Sequence, residues 1–67
     1  MPKYTVKEVQ THVVNNGGTL EQLTNGNYNI RKDTKSVNVG KPGKDNKWDA
    51  AQLTRAWGDA TGIPKIS

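Results

Sequence analysis

The sequence contains no cysteine and no phenylalanine, and its only histidine is His12. Without cysteine, neither a disulfide framework nor a thiolate metal site can staple the core. A nucleophilic dyad needs a Cys, or a Ser beside a base, and Ser36 and Ser67 have no such neighbour in sequence. The six acidic residues are scattered, with no paired spacing for a divalent metal. No metal or other cofactor is therefore expected. No apolar stretch approaches the ~18 residues that suggest a bilayer span. No signal-peptide core is present either, which points to the cytoplasm. Aromatics are few: Tyr4, Tyr28, Trp48 and Trp57. Apolar residues make up 31% of the chain, against a usual ~45–50% on a count that includes glycine. A chain of 67 residues makes one small domain, which buries only ~60% of its unfolded surface. Either its packing is efficient, or a partner (a second copy, another protein or a nucleic acid) completes it.

What the chain does have is positive charge. Its net charge is +4, which suits a polyanionic partner. The stretch Arg31–Lys47 carries six of the ten basic residues, namely Arg31, Lys32, Lys35, Lys41, Lys44 and Lys47, against Asp33 and Asp45. Lys41, Lys44 and Lys47 recur every third residue through a Gly/Pro loop that leads toward an amphipathic segment. Ammonium groups beside the free N–H groups of a helix start attract phosphate. A solvated loop kept soluble by charge is the plain alternative.

Thr5 and Glu8 have the spacing of a capping box, and Tyr4 and Val9 that of a hydrophobic staple. Val6, Val9 and Val13 recur at helical spacing, so a first helix is expected over Val6–Asn15, stopped by Asn16-Gly17-Gly18. Thr19–Thr24, Asn27–Lys32 and Ser36–Gly40 read as three strands. Asn25-Gly26 between the first two is a hairpin signal of the type I′ kind, and Asp33-Thr34 makes the next turn. Tyr28 and Ile30 alternate with Asn27, Asn29 and Arg31, as in a half-buried strand. Leu53, Ala56, Trp57 and Ala60 form an apolar stripe on a second helix expected over Lys47–Thr61, with Asp45 or Asn46 as N-cap. Gly62 fits the residue beyond that helix, Ile63 can fold back on Trp57, and Pro64–Ser67 reads as a flexible tail. The expected fold is α+β, in the order α-β-β-β-α, with both helices on one face of a three-stranded antiparallel sheet. The other face carries Asn, Arg and Lys.

Each candidate site has a competing structural reading. His12 lies on the flank of the first helix, where a histidine is usually a boundary residue. Trp57 belongs to the apolar stripe. Trp48 either staples the loop to the sheet or offers a ring face for base stacking. Gly40-Lys41-Pro42-Gly43-Lys44-Asp45 lacks the Walker spacing, and Asp45 stands where that motif has its hydroxyl. Gly40 and Gly43 also have the Gly-x-x-Gly spacing of KH domains, which place it between helices.

The order of these motifs resembles the HicA-type toxins, whose fold is that of double-stranded-RNA-binding domains. Val13–Gly18 is similar to the helix end before that family's first strand. Gly26-Asn27-Tyr28 falls at its strand-two Gly-Ser/Asn-His motif, Ser36–Val39 at its third strand, and Leu53–Ile63 at its closing helix with terminal Gly-Ile. Lys44, Lys47 and Ala50-Ala51 resemble the lysine-rich helix start with which double-stranded-RNA-binding domains contact phosphates. The resemblance implies a ribonuclease that depends on the strand-two histidine, whose place is taken here by Tyr28. A phenol of ordinary pKa near ~10 is a poor base at neutral pH. His12 and Tyr28 thus stand as weak catalytic candidates, and a silent relative that still binds is the more economical reading.

The leading expectation is therefore a nucleic-acid-binding protein that favours double-stranded or structured RNA over DNA. Its binding residues would be Arg31, Lys32, Lys35, Lys41, Lys44, Lys47 and Trp48. The alternatives are an mRNA-cleaving HicA-like toxin, or a phage- or mobile-element-encoded regulator that binds a host protein. A homodimer is a further option. Tyr4–Val9 also resembles the opening of excisionase-type winged helices, but Asn25-Gly26 and two strands intervene before any helix-turn-helix.

Overall fold

Helix α1 (Val6–Asn15) forms where the capping box places it. The Thr5 hydroxyl accepts from the Glu8 amide at 3.1 Å and the Glu8 carboxylate accepts from the Thr5 amide at 3.0 Å. Its apolar face buries Val9 and Val13 completely. The helix ends at Asn16, and Gly17 follows with a φ of 84°. The structure, a computed structural model, describes residues 2–66.

The chain is α+β, with a three-stranded antiparallel sheet and two helices. The sheet is a meander of β2 (Thr19–Gln22), β3 (Tyr28–Lys32) and β4 (Lys35–Gly40). Leu20, Ile30 and Val37 stand opposite one another across it and face the core, with Ile30 fully buried. Between Tyr28 and Asn29 the register with β4 shifts. Val39 is the extra residue there, and it too points inward with 4% of its surface exposed. Asn25-Gly26 does turn the chain, but not as a two-residue type I′ hairpin. Only Gly26, at φ 89°, has a positive φ, and the loop closes through Gly26 N–H to Leu23 C=O and Leu23 N–H to Asn27 C=O. One left-handed residue is enough for this longer loop.

The structure adds a second, two-stranded sheet. Short strands β1 (Lys3–Thr5) and β5 (Lys47–Asp49) pair antiparallel, with Tyr4 opposite Trp48 and Thr5 opposite Lys47. Gly43–Lys47 makes the turn into β5, closed by Gly43 N–H to Lys47 C=O and Asn46 N–H to Gly43 C=O, with Asn46 at φ 62°. The segment from Lys47 is thus a strand and not the start of a helix.

The second helix is correspondingly shorter than its apolar stripe suggests. Helix α2 spans Ala50–Leu53, and two 3₁₀ turns, Thr54–Ala56 and Gly58–Ala60, follow. Its N-cap is Asp49 rather than Asp45 or Asn46, and the Gln52 side chain accepts from the Asp49 amide at 3.1 Å. Three features unwind the stripe. The Thr54 hydroxyl turns back to the Ala50 and Ala51 carbonyls. Trp57 is extended, and Gly58 takes a φ of 77°, a conformation costly for other residues. The chain can then reverse and bury Ile63 fully, beside Val13 and Gly18. The Thr61 hydroxyl donates to the Ala56 carbonyl inside this turn. Gly62 has the positive φ its position suggests, 77°.

Both tryptophans take part in the core packing; of the two readings open for Trp48, the structural one holds and base stacking does not. Trp48 is fully buried at the centre of the core, edge-on to Tyr28 at 5.2 Å, whereas Trp57 is half-buried at its rim. Strand alternation in β5 turns Trp48 inward, while Trp57 lies where the helix has already ended. Pro64–Ile66 is held at two points: the Pro64 carbonyl lies 2.6 Å from His12 Nε2, and Ile66 packs on the core. Ser67, the last residue of the expected tail, lies outside the described residues. No helix among the described residues is long and apolar enough to cross a membrane.

Candidate nucleic-acid interface

The basic residues that sequence reasoning grouped into one strip lie at opposite ends of the sheet. Strand β4 runs from Lys35 to Gly40, five steps of about 3.3 Å each, or about 17 Å. At its start stand Lys35 and its partner Lys32, with Arg31 opposite Ser36 one step further along. The Lys35 ammonium donates to the Asp59 carbonyl at 3.2 Å. The Lys32 stem passes beside Gly17 at the end of α1. At the far end Lys41 lies across Gly26 of the β2–β3 loop, and Lys44 is exposed in the turn beyond it. Lys47 belongs to β5, opposite Thr5 and close enough to Glu8 to lower its pKa slightly.

This arrangement removes two parts of the expected site. The lysines do not surround a helix N-terminus, because Lys41 and Lys44 precede a strand and α2 has only four residues. Trp48 has no exposed ring face to stack on a base. Each correction follows from β5, whose pairing with β1 takes up the residues that local sequence assigns to the helix.

What the fold does assemble is the outer face of β2–β3–β4. Cross-strand register sets Thr19, Arg31 and Ser36 in one row and Glu21, Asn29 and Asn38 in the next. All six are polar, and Thr19, Arg31, Ser36 and Asn38 are exposed. The Arg31 guanidinium is 3.7 Å from the Glu21 carboxylate, both well exposed. An ion pair of this kind is worth ~0–1 kcal/mol, so Arg31 is free to exchange partners. Asn38 Oδ1 accepts from the Gly40 amide at 2.8 Å. That bond uses the oxygen and leaves the amide nitrogen as the group that can address a partner. Asn29 Oδ1 is buried without a hydrogen-bond partner among the described residues and so is not itself open to a partner from outside. Sequence alternation through Tyr28–Arg31 already hinted at this face. The cluster itself was missed because Thr19, Ser36 and Asn38 are unremarkable singly.

Two carboxyls near the lysines have lowered pKa values. Glu8 is lowered first by the hydrogen bond from the Thr5 backbone and then by that from its side chain. Asp45 is lowered mainly by the Lys3 ammonium, 3.2 Å away. Both stay ionised at neutral pH. Among the described residues no salt bridge engages Lys41, Lys44 or Lys47.

The catalytic candidates are set among other aromatics. His12 is edge-on to Trp57 at 5.3 Å while its Nε2 meets the Pro64 carbonyl, and Tyr28 is edge-on to Trp48. No group of three or more His, Cys, Asp or Glu suited to hold a metal occurs among the described residues. Comparison of the chain with protein-family models, with curated proteins and with solved structures gave no match.

Proposed function

We propose that this chain is a small nucleic-acid-binding module that holds a polyanionic backbone with its basic side chains and performs no catalysis. The observation that carries this reading is the exposure of Lys41, Lys44 and Lys47, none of them in a salt bridge among the described residues, together with Arg31 exposed on the outer face of β2–β3–β4. A net charge of +4 favours a polyanion at long range, and exposed ammonium groups contribute most at low salt. The side chains that remain in this role are Arg31, Lys32, Lys35, Lys41, Lys44 and Lys47. Trp48 leaves the set because its ring is enclosed. Action on nucleic acid in the cytoplasm is consistent with this reading.

The kinship with HicA-type and double-stranded-RNA-binding folds belongs to the same proposal. In its favour is the order helix, three-stranded meander, helix. Against it stand the β1–β5 pair and the shortness of α2. A preference for RNA rested on lysines at a helix start, and it loses that support now that β5 occupies the position.

Fluorescence anisotropy with labelled duplex DNA, duplex RNA and single strands, measured across a salt series, tests the proposal. With about four phosphates neutralised, log K is expected to fall against log salt with a slope of roughly −3 to −4. No binding at 50 mM salt, or binding that ignores salt, would remove it.

A further inference from the structure

We infer that the cleft between the edge of β4 and the segment formed by α2 and the first 3₁₀ turn is a phosphate seat. In it Arg55, Asn38 and Gln52 hold one backbone phosphate of the bound nucleic acid. The inference rests on the nucleic-acid reading above and names a shaped contact in addition to the exposed lysines.

Strand β4 is an edge strand, because the sheet order is β2-β3-β4. Asn38, Val39 and Gly40 on that strand, with Gln52 and Arg55 on the segment beside it, line a cleft of about 220 Å³. Gln52 and Arg55 stand at i and i+3, so they share one side of their turn. A water takes about 30 Å³ in the liquid, so the cleft has room for a phosphate group and part of its hydration.

The side chains at this cleft offer donors. Gln52 Oε1 accepts from the Asp49 amide at 3.1 Å, and Asn38 Oδ1 accepts from the Gly40 amide at 2.8 Å. Both oxygens are engaged by the backbone, which leaves the nitrogen ends of the two amides as the groups for a ligand. Gln52 Nε2 makes only a long contact, 3.5 Å, to the Lys41 carbonyl. Arg55 is exposed and in no salt bridge among the described residues. No Asp or Glu lines the cleft. A guanidinium with two amide donors and no opposing carboxylate suits an oxyanion. Because the donors come from a strand and from a helical turn, they suit a tetrahedral phosphate better than a planar carboxylate. Lys41 follows Gly40 directly, and with Lys44 it supplies cations for neighbouring phosphates of the same strand. Sequence reasoning missed this site because Arg55 lies outside Arg31–Lys47 and the two amides belong to no motif.

The test uses the full chain labelled with nitrogen-15. Inorganic phosphate is titrated at constant ionic strength against sodium chloride as control. The largest shifts are expected in the side-chain NH₂ signals of Asn38 and Gln52 and in the Arg55 Nε–H signal. Arg55→Gln, a change at an exposed side chain, should abolish those shifts at Asn38 and Gln52. In anisotropy with a labelled single-stranded oligonucleotide the same variant should bind about tenfold more weakly. Its salt slope should become shallower by about 0.7, the share of one phosphate on a single strand. Arg55→Lys keeps the charge without the fork, so it should retain the slope while losing part of the affinity. Phosphate shifts confined to Lys41, Lys44 and Lys47, or unchanged affinity and slope in Arg55→Gln, overturn the seat while leaving nucleic-acid binding intact. Phosphate shifts at the three side chains without binding of any oligonucleotide would instead overturn the nucleic-acid reading and make a free phosphate group the ligand.

Discussion

Replacing Trp48 by alanine separates the fold described here from the one that local sequence suggests. Trp48 has no exposed surface, packs edge-on to Tyr28 and faces Tyr4 across the β1–β5 pair. A buried aromatic hides 150–250 Å², which at about 25 cal/mol per Å² comes to about 4–6 kcal/mol. Large-to-small changes of this kind cost about 3–5 kcal/mol. A domain of 67 residues has a total stability of about 3–10 kcal/mol. Trp48→Ala should therefore consume much of the stability or all of it. In a domain this small each kcal/mol moves Tm by about 4–8 °C, so a drop beyond about 12 °C is expected. Thermal melts followed by circular dichroism measure it, and the fluorescence of Trp57 gives a second signal. Trp48→Phe makes the complementary case. It keeps an aromatic ring and discards an indole N–H that has no partner among the described residues, so although it leaves a small cavity its cost should be well below that of Trp48→Ala. A Trp48→Ala protein that melts within about 5 °C of the parent would refute this reasoning. The ring would then belong on the surface, and the segment from Lys47 could again be a helix.

Gly18→Ala is expected to lower the urea midpoint, because a Cβ there would sit 2.9 Å from the Arg31 carbonyl, Ile63 Cδ1 and Val13 Cγ1, an overpacking that costs about 1–3 kcal/mol. Glu8 and Asp45 have lowered pKa values in the folded state. Their contribution is present above the ordinary carboxylate range and lost as pH falls through the folded values, so Tm should drop on acidification and Glu8→Gln should flatten that profile. His12→Ala removes the contact to the Pro64 carbonyl and the edge against Trp57. Faster hydrogen exchange around Ile63 is expected, with nucleic-acid affinity unchanged; loss of affinity would return His12 to the binding surface. In Lys41→Glu/Lys44→Glu the salt slope of binding should become shallower by about 2, since each phosphate contributes about 0.9. An unchanged slope would place the phosphates elsewhere.

Local sequence determined α1, its capping box, the order of the three meander strands and the polar character of their outer face. Each rests on interactions within about four residues or on alternation along a strand, so composition and spacing suffice to see them. Tertiary structure alone decided the rest. Tyr4 and Trp48 are far apart in sequence and meet in strands of only three residues, too short for a period to show. Their pairing took Lys47 and Trp48 away from the expected helix, buried the ring offered for stacking, and removed the helix terminus on which a phosphate site had been placed. Likewise Leu53, Ala56 and Trp57 satisfy a helical stripe locally, but burial of Ile63 requires the chain to turn at Gly58. The basic residues are close neighbours in sequence and are divided in space because an extended strand, rising about 3.3 Å per residue, runs between them.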